Sequence, residues 1–217
     1  MSWKKFILYC AVQKVDLYSV GVNPEAVIKL YRETHPQIVS GWKKLHDACH
    51  KAAEGTDSFA CRCEFTRYGK DVRVELPSRR SIVYRNARIE PRIPGYAKLF
   101  GTPADMIPTF VFDHPHGYEG YLYGGRLMEN IVQAVCRDIL VDRLIQVENS
   151  GLLPFLHVHD EICTESEAIQ ELAEIMSTPP EWAPDFPILV ECFSHHRYMK
   201  SPPKSAPSCA GLNGEVR

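Results

Sequence analysis

Phe155-Leu156-His157-Val158-His159-Asp160-Glu161-Ile162-Cys163 sets two short apolar arms on either side of adjacent carboxylates. Read as a hairpin, the segment lifts Asp160 and Glu161 to an exposed tip. Neighbouring acids on a strand turn can hold a hard divalent cation by its oxygen ligands while apolar flanks fix the backbone beneath them. A plain polar turn has the same local pattern, so this segment by itself leaves both readings open. A small metal-dependent hydrolase built on Asp160, Glu161 and His159 would need further ligands, and only His157 stands nearby to offer one.

Two other groups carry chemistry-bearing residues. Cys61-Arg62-Cys63 is the tightest cysteine spacing, but a C-x-C pair without a second Cys/His pair at finger-like distance is a weak zinc signal. Arg79, Arg80, Arg85, Arg88 and Arg92 form the densest basic stretch, which fits either a track for a phosphate backbone or a solvated loop.

Such residues need a frame. The chain has 217 residues, of which 45% are hydrophobic and 24% charged, values that exclude wholesale disorder and fibrous repeats and allow one large domain or two small ones. The 25 Lys+Arg against 27 Asp+Glu leave a net charge of −2, so any nucleic-acid partner must meet a local basic stripe. The 8 cysteines are scattered, Met1-Ser2-Trp3-Lys4-Lys5 lacks the apolar stretch of a secretory signal, and no apolar run approaches a membrane span. These features predict a soluble chain with free thiols in a reducing compartment and no membrane partner.

Helical periodicity runs from Met1 to about Ala53, with Pro24 and Pro36 each opening a new helix, so two or three helices are expected. Phe59 to Phe65 and Val72 to Leu76 alternate with period two around Gly69, which predicts a hairpin, followed by a turn at Pro77-Ser78-Arg79-Arg80 and a third strand at Ser81–Tyr84. Five prolines between 86 and 125 predict an ordered but irregular insertion. A long helix is expected over Arg126 to about Val147, then the hairpin of the acidic tip, a helix near Ser166 to Met176, and a buried strand at Pro187–Phe193. The tail from 201 to 217 has too little to bury and is expected to be disordered.

In chain order, these segments resemble family A (polymerase I type) DNA polymerases, above all their bacteriophage members. Met1-Ser2-Trp3-Lys4-Lys5-Phe6 is similar to the residues that follow the nucleotide-binding helix of the fingers, and Leu30-Tyr31-Arg32 to Pro36 with Trp42 resemble the helices after it. Leu76-Pro77-Ser78-Arg79-Arg80 resembles the Leu-Pro-Ser-Gly-Arg turn of the family, with Arg79 where Gly is usual. Tyr123-Gly124-Gly125-Arg126-Leu127-Met128-Glu129-Asn130, with Gln133, Ala134, Arg137 and Asp138, resembles the long palm helix along the primer–template. Val158-His159-Asp160-Glu161 resembles the carboxyl-terminal catalytic motif, and Trp182-Ala183-Pro184 through Arg197-Tyr198 the terminal strand.

The resemblance implies an α+β fold, with helices packed on a small antiparallel palm sheet and a catalytic-motif hairpin. It also implies a domain plan of fingers helices over 1–55, palm over 56–200 and a tail over 201–217. It assigns Asp160 as metal ligand, Glu161 as a weaker ligand or support, and His159 beside the primer terminus. Gln133 and Asn130 would face minor-groove acceptors, which every base pair presents and which therefore suit geometry checking without sequence choice; Arg126 and Arg80 would contact DNA, though a helix-capping role for Arg126 is as compatible. The implied cofactor is Mg2+ in a two-metal site only partly supplied here, and the implied partners are primer–template DNA and dNTP. The first catalytic aspartate of the family and its nucleotide-binding Lys and Tyr lie upstream of the matched segments, so a separate amino-terminal polymerase piece is expected to supply them. The implied location is the cytoplasm of a bacterial or phage-infected cell, and the competing reading is a DNA-binding remnant without chemistry.

Overall fold

The computed structural model describes residues 3–101 and 103–199, so the expected disorder of 201–217 lies outside the described residues. They form an α+β fold, as expected, in two compact units, Met1–Val132 and Gln133–Arg217.

The first unit opens with three helices: α1 (Trp3–Val12), α2 (Pro24–Thr34) and α3 (Pro36–Ala53). Both prolines stand at first helical positions, where the absent N–H is no loss, and the Asn23 side chain caps α2 by accepting from the Glu25 and Ala26 amides at 2.9 and 3.2 Å. Six antiparallel strands follow in sequential order: β1 (Ser58–Ala60), β2 (Cys63–Tyr68), β3 (Asp71–Glu75), β4 (Ser81–Arg92), β5 (Ile107–Asp113) and β6 (Glu119–Leu122). Strict alternation buries Cys63 and Phe65 of β2 and Val72 and Val74 of β3, while Glu64 and Arg73 stay exposed. α3 lies along this sheet and buries Leu45, Ala48, Cys49 and Ala52.

Sequence periodicity and structure part company at three places. The single strand expected over Phe59–Phe65 is broken by a two-residue turn, Cys61-Arg62, in which both residues have positive φ (51° and 62°). The segment expected to be irregular, 86–125, holds most of β4, a short helix α4 (Gly95–Phe100), β5 and β6. Prolines suppressed the strand signal, yet Pro91 and Pro108 sit directly opposite each other where each strand is paired on one side only, because β3 reaches β4 only through Ser81–Tyr84 and β6 reaches β5 only through Phe110–Asp113. An extra β4 residue between Arg85 and Arg88 makes a bulge, with Asn86 at φ +47°, a conformation its side chain tolerates well. The third departure is at Pro187–Phe193, which forms no strand; Leu189 is exposed, and only Phe193 makes an isolated bridge.

The long helix α5 (Gly124–Asn149) begins in the first unit and ends in the second. The second unit continues with β7 (Pro154–Val158), β8 (Glu161–Thr164) and α6 (Ile169–Ser177). Arg143 is buried there, donating to the Ile175 carbonyl at 3.3 Å and to the Asp142 carboxylate.

A titratable pair on α3 makes stability depend on pH. The His46 and His50 rings lie with centroids 4.1 Å apart and planes tilted by 43°, and the buried Nε2 of His50 has no hydrogen-bond partner among the described residues. Desolvation first, and His46 second, hold the His50 pKa below its ordinary value. Well above that ordinary value both folded and unfolded chains carry a neutral ring and nothing changes. As pH falls through it, the unfolded chain takes up the proton first, so stability falls. A thermal-melt series from pH 7 to 5 should therefore show a steeper loss in the native chain than in His50→Leu; parallel curves would show that His50 is not the titrating group.

Candidate active site

Strand β7 ends at Val158 and β8 starts at its partner Glu161, so His159-Asp160 is a two-residue hairpin loop. Two apolar arms around a polar tip thus fold as the expected hairpin, but of the two acids only Asp160 stands at the tip. Asp160 is exposed at the tip, and Glu161, first in β8, is half-buried. Only the first loop residue, His159, has a positive φ (+53°), a conformation that glycine takes freely and that costs an L-residue roughly 1–2 kcal/mol. His159→Gly should relieve that strain and slow amide exchange across β7–β8, whereas His159→Val should speed it; equal exchange in the two variants would refute the strain.

Glu161 has a partner that its sequence neighbourhood does not reveal. The Tyr198 hydroxyl, 37 positions away, donates to Glu161 Oε2 at 2.8 Å, and the hydrogen-bonded carboxylate raises the phenol pKa above its usual value. No feature around Tyr198 signals this contact beforehand.

Arg126, Asn130 and Gln133 follow one another at i, i+4 and i+7, and so share one stripe of α5. Arg126 and Gln133 are exposed; the Arg126 guanidinium lies 5.7 Å from the Tyr121 ring centroid. Asn130 is half-buried, and its Nδ2 donates to the Tyr84 hydroxyl at 3.0 Å. Tyr84 is 3% exposed and wedged edge-on between Phe110 and Phe112, so a rigid anchor fixes the Asn130 carboxamide. Arg80 is half-buried in the Leu76–Arg80 turn, where the Leu76 amide donates to its carbonyl at 2.8 Å. That turn keeps its tight geometry with Arg79 in the glycine place, at φ +68°, tied to Glu75 at 2.8 Å.

The basic run is not uniformly available to phosphate. Arg88 is paired with Glu90 at 2.6 Å, Asp113 at 3.0 Å and Glu119, while Arg92 is paired with Glu90 at 2.6 Å and Glu119 at 2.8 Å. Two guanidiniums among three carboxylates leave this face of β4–β6 without a positive excess. A phosphate track through Arg88 and Arg92 is thereby disfavoured, and strand pairing is the reason: Arg88 faces acids that lie more than twenty residues along the chain.

Among the described residues no group of three or more His, Cys, Asp or Glu side chains is placed to hold a metal ion. The donor set at the tip is two adjacent carboxylates. It fits a cation such as Mg2+ that keeps several waters or takes phosphate oxygens, and does not make an all-protein cage. No described helix is long and apolar enough to cross a membrane.

Over 188 residues the chain is 30% identical to a protein named DNA polymerase from Bacillus phage SP02, a match that takes in 83% of this chain and 28% of that protein. The chain thus spans little more than a quarter of the length of this relative. No family model matches the chain, and no solved structure matches it.

Proposed function

We propose that the chain is the carboxyl-terminal palm and partial fingers portion of a family A type DNA-directed DNA polymerase, working in template-directed nucleotidyl transfer. The observation that carries the reading is the exposed Asp160 on a two-residue hairpin loop, set within a segment similar to a phage polymerase. Residues 1–55 take the place of fingers helices and 56–200 that of the palm.

The proposed division of labour follows the geometry. Asp160 presents a full carboxylate to solvent and is the metal ligand; Glu161, its position held by Tyr198, is the weaker ligand or support. His159 offers ring nitrogens to the primer backbone from the loop. Gln133 and the anchored Asn130 present carboxamides to the minor groove, and Arg126 and Arg80 serve phosphates. Mg2+, when bound, supplies the positive charge that offsets charge developing between the primer hydroxyl and the dNTP phosphates. The second catalytic aspartate and the nucleotide-binding lysine come from polymerase sequence upstream of the matched segments, on the same or a separate polypeptide.

The test has two arms. Fluorescence anisotropy with primer–template DNA should show binding that weakens as salt rises, because a chain of charge −2 offers phosphates only a local stripe. Primer extension with Mg2+ should be absent from the chain alone and appear on mixing with the SP02 polymerase lacking its matched segment. Lack of DNA binding at every ionic strength would overturn the proposal. Salt-dependent binding without extension in the mixture would favour the DNA-binding remnant, and robust extension by the chain alone would show that nothing upstream is needed.

A further inference from the structure

We infer that Tyr198 is a positioning residue for the acidic turn, holding one oxygen of Glu161 so that the other faces the cation. The inference rests on the cation reading of Asp160 and Glu161 given above.

A glutamate has three side-chain torsions, and Glu161 is the half-buried first residue of a short strand beside an exposed loop. Among the described residues β7 and β8 form a two-stranded sheet of their own, and the faces of their arms are half-exposed or exposed. A two-stranded ribbon of this kind is marginal by itself, so packing within it does little to fix its side chains. The Tyr198 hydroxyl provides the missing constraint. It donates to Oε2 at 2.8 Å, and among the described residues no hydrogen bond engages Oε1. A hydroxyl donor on a ligand carboxylate restricts its rotation without adding a charge that would repel the cation.

A simple tether is the competing account. The described segment around Tyr198 is irregular, with an isolated bridge at Phe193 and a bend at His196-Arg197, so the same hydrogen bond could merely hold that segment in place. The two accounts differ in what removal of the hydroxyl does to cation affinity. Tyr198 is 50% exposed, and Tyr198→Phe keeps its ring, so the fold should survive.

The experiment titrates Mn2+ into the full chain at low millimolar concentration and follows free Mn2+ by electron paramagnetic resonance. Asp160→Asn should remove the binding. Tyr198→Phe should weaken it about tenfold, in line with the loss of a group that orients a metal ligand. Glu161→Gln should weaken it by at least as much, and adding Tyr198→Phe to Glu161→Gln should change nothing further, because the hydroxyl acts only through that carboxylate. Asp160-dependent Mn2+ binding that Tyr198→Phe leaves unchanged would overturn the positioning role alone, as would a full additional loss in the double variant. Absence of any Asp160-dependent Mn2+ binding would overturn the cation reading and this inference with it.

Discussion

Asp160→Asn, introduced into the chain before it is mixed with the complementary polymerase piece, should reduce primer extension by roughly a thousandfold or more. Asn has nearly the shape of Asp, and Asp160 is exposed on its loop, so the substitution deletes a charge without disturbing packing. In nucleotidyl transfer the protein supplies mainly position and electrostatics, and a carboxylate that holds the cation serves both. Primer–template binding measured in parallel should be unchanged or tighter, since one negative charge has been removed from the face proposed to meet phosphates. That split, extension lost and binding kept, separates a catalytic ligand from a structural residue. Extension within about tenfold of the native mixture would show that Asp160 holds no essential cation.

The largest expected effect on folding belongs to Gly124, the first residue of α5. A Cβ at this position would lie 1.9 Å from the Trp42 carbonyl oxygen and 2.6 Å from its carbonyl carbon. Those atoms belong to the backbone of α3, which has its own helical hydrogen bonds to keep and cannot turn aside as a side chain could. Gly124→Ala should therefore cost roughly 3 kcal/mol or more, at the upper end of overpacking effects. For a chain of this length, that is a fall of about 10 °C in Tm. Gly125 is the internal control. Its added Cβ would meet the Tyr123 ring at 3.2 Å, an exposed side chain that can shift, so Gly125→Ala should change Tm by a few degrees at most. Similar melting of the two variants would contradict the close approach of α3 and α5.

Where the sequence was legible, the signal was local and repeated. Three helices before residue 55 and the long α5 follow from apolar spacing and from proline at first helical positions, both set by residues within a turn or two of one another. The hairpin that presents Asp160 was equally plain, because two apolar arms on either side of a polar tip fold back on each other. Its chemistry was suggested by the company of other motifs in the correct order, since two adjacent acids read the same in an ordinary turn.

Tertiary structure decided the rest, and for one physical reason: strand pairing brings together residues that are far apart in the chain. Ser81–Tyr84 read as a strand, but the rest of β4 and all of β5 were hidden because proline depresses strand propensity wherever it occurs, while its tolerance depends on whether a neighbouring strand needs its N–H, and Pro91 and Pro108 fall where β3 and β6 have already ended. Arg88 and Arg92 read as cationic until β5 and β6 place Asp113 and Glu119 against them. The same holds for two candidate residues, one in each unit: Asn130 is bonded to Tyr84 at a separation of 46 residues and Glu161 to Tyr198 at 37. Asp160, Glu161, Asn130 and Gln133 stood out in the sequence as candidates, whereas the hydroxyls bonded to two of them did not, because a hydrogen bond across such separations leaves no periodic trace in the chain.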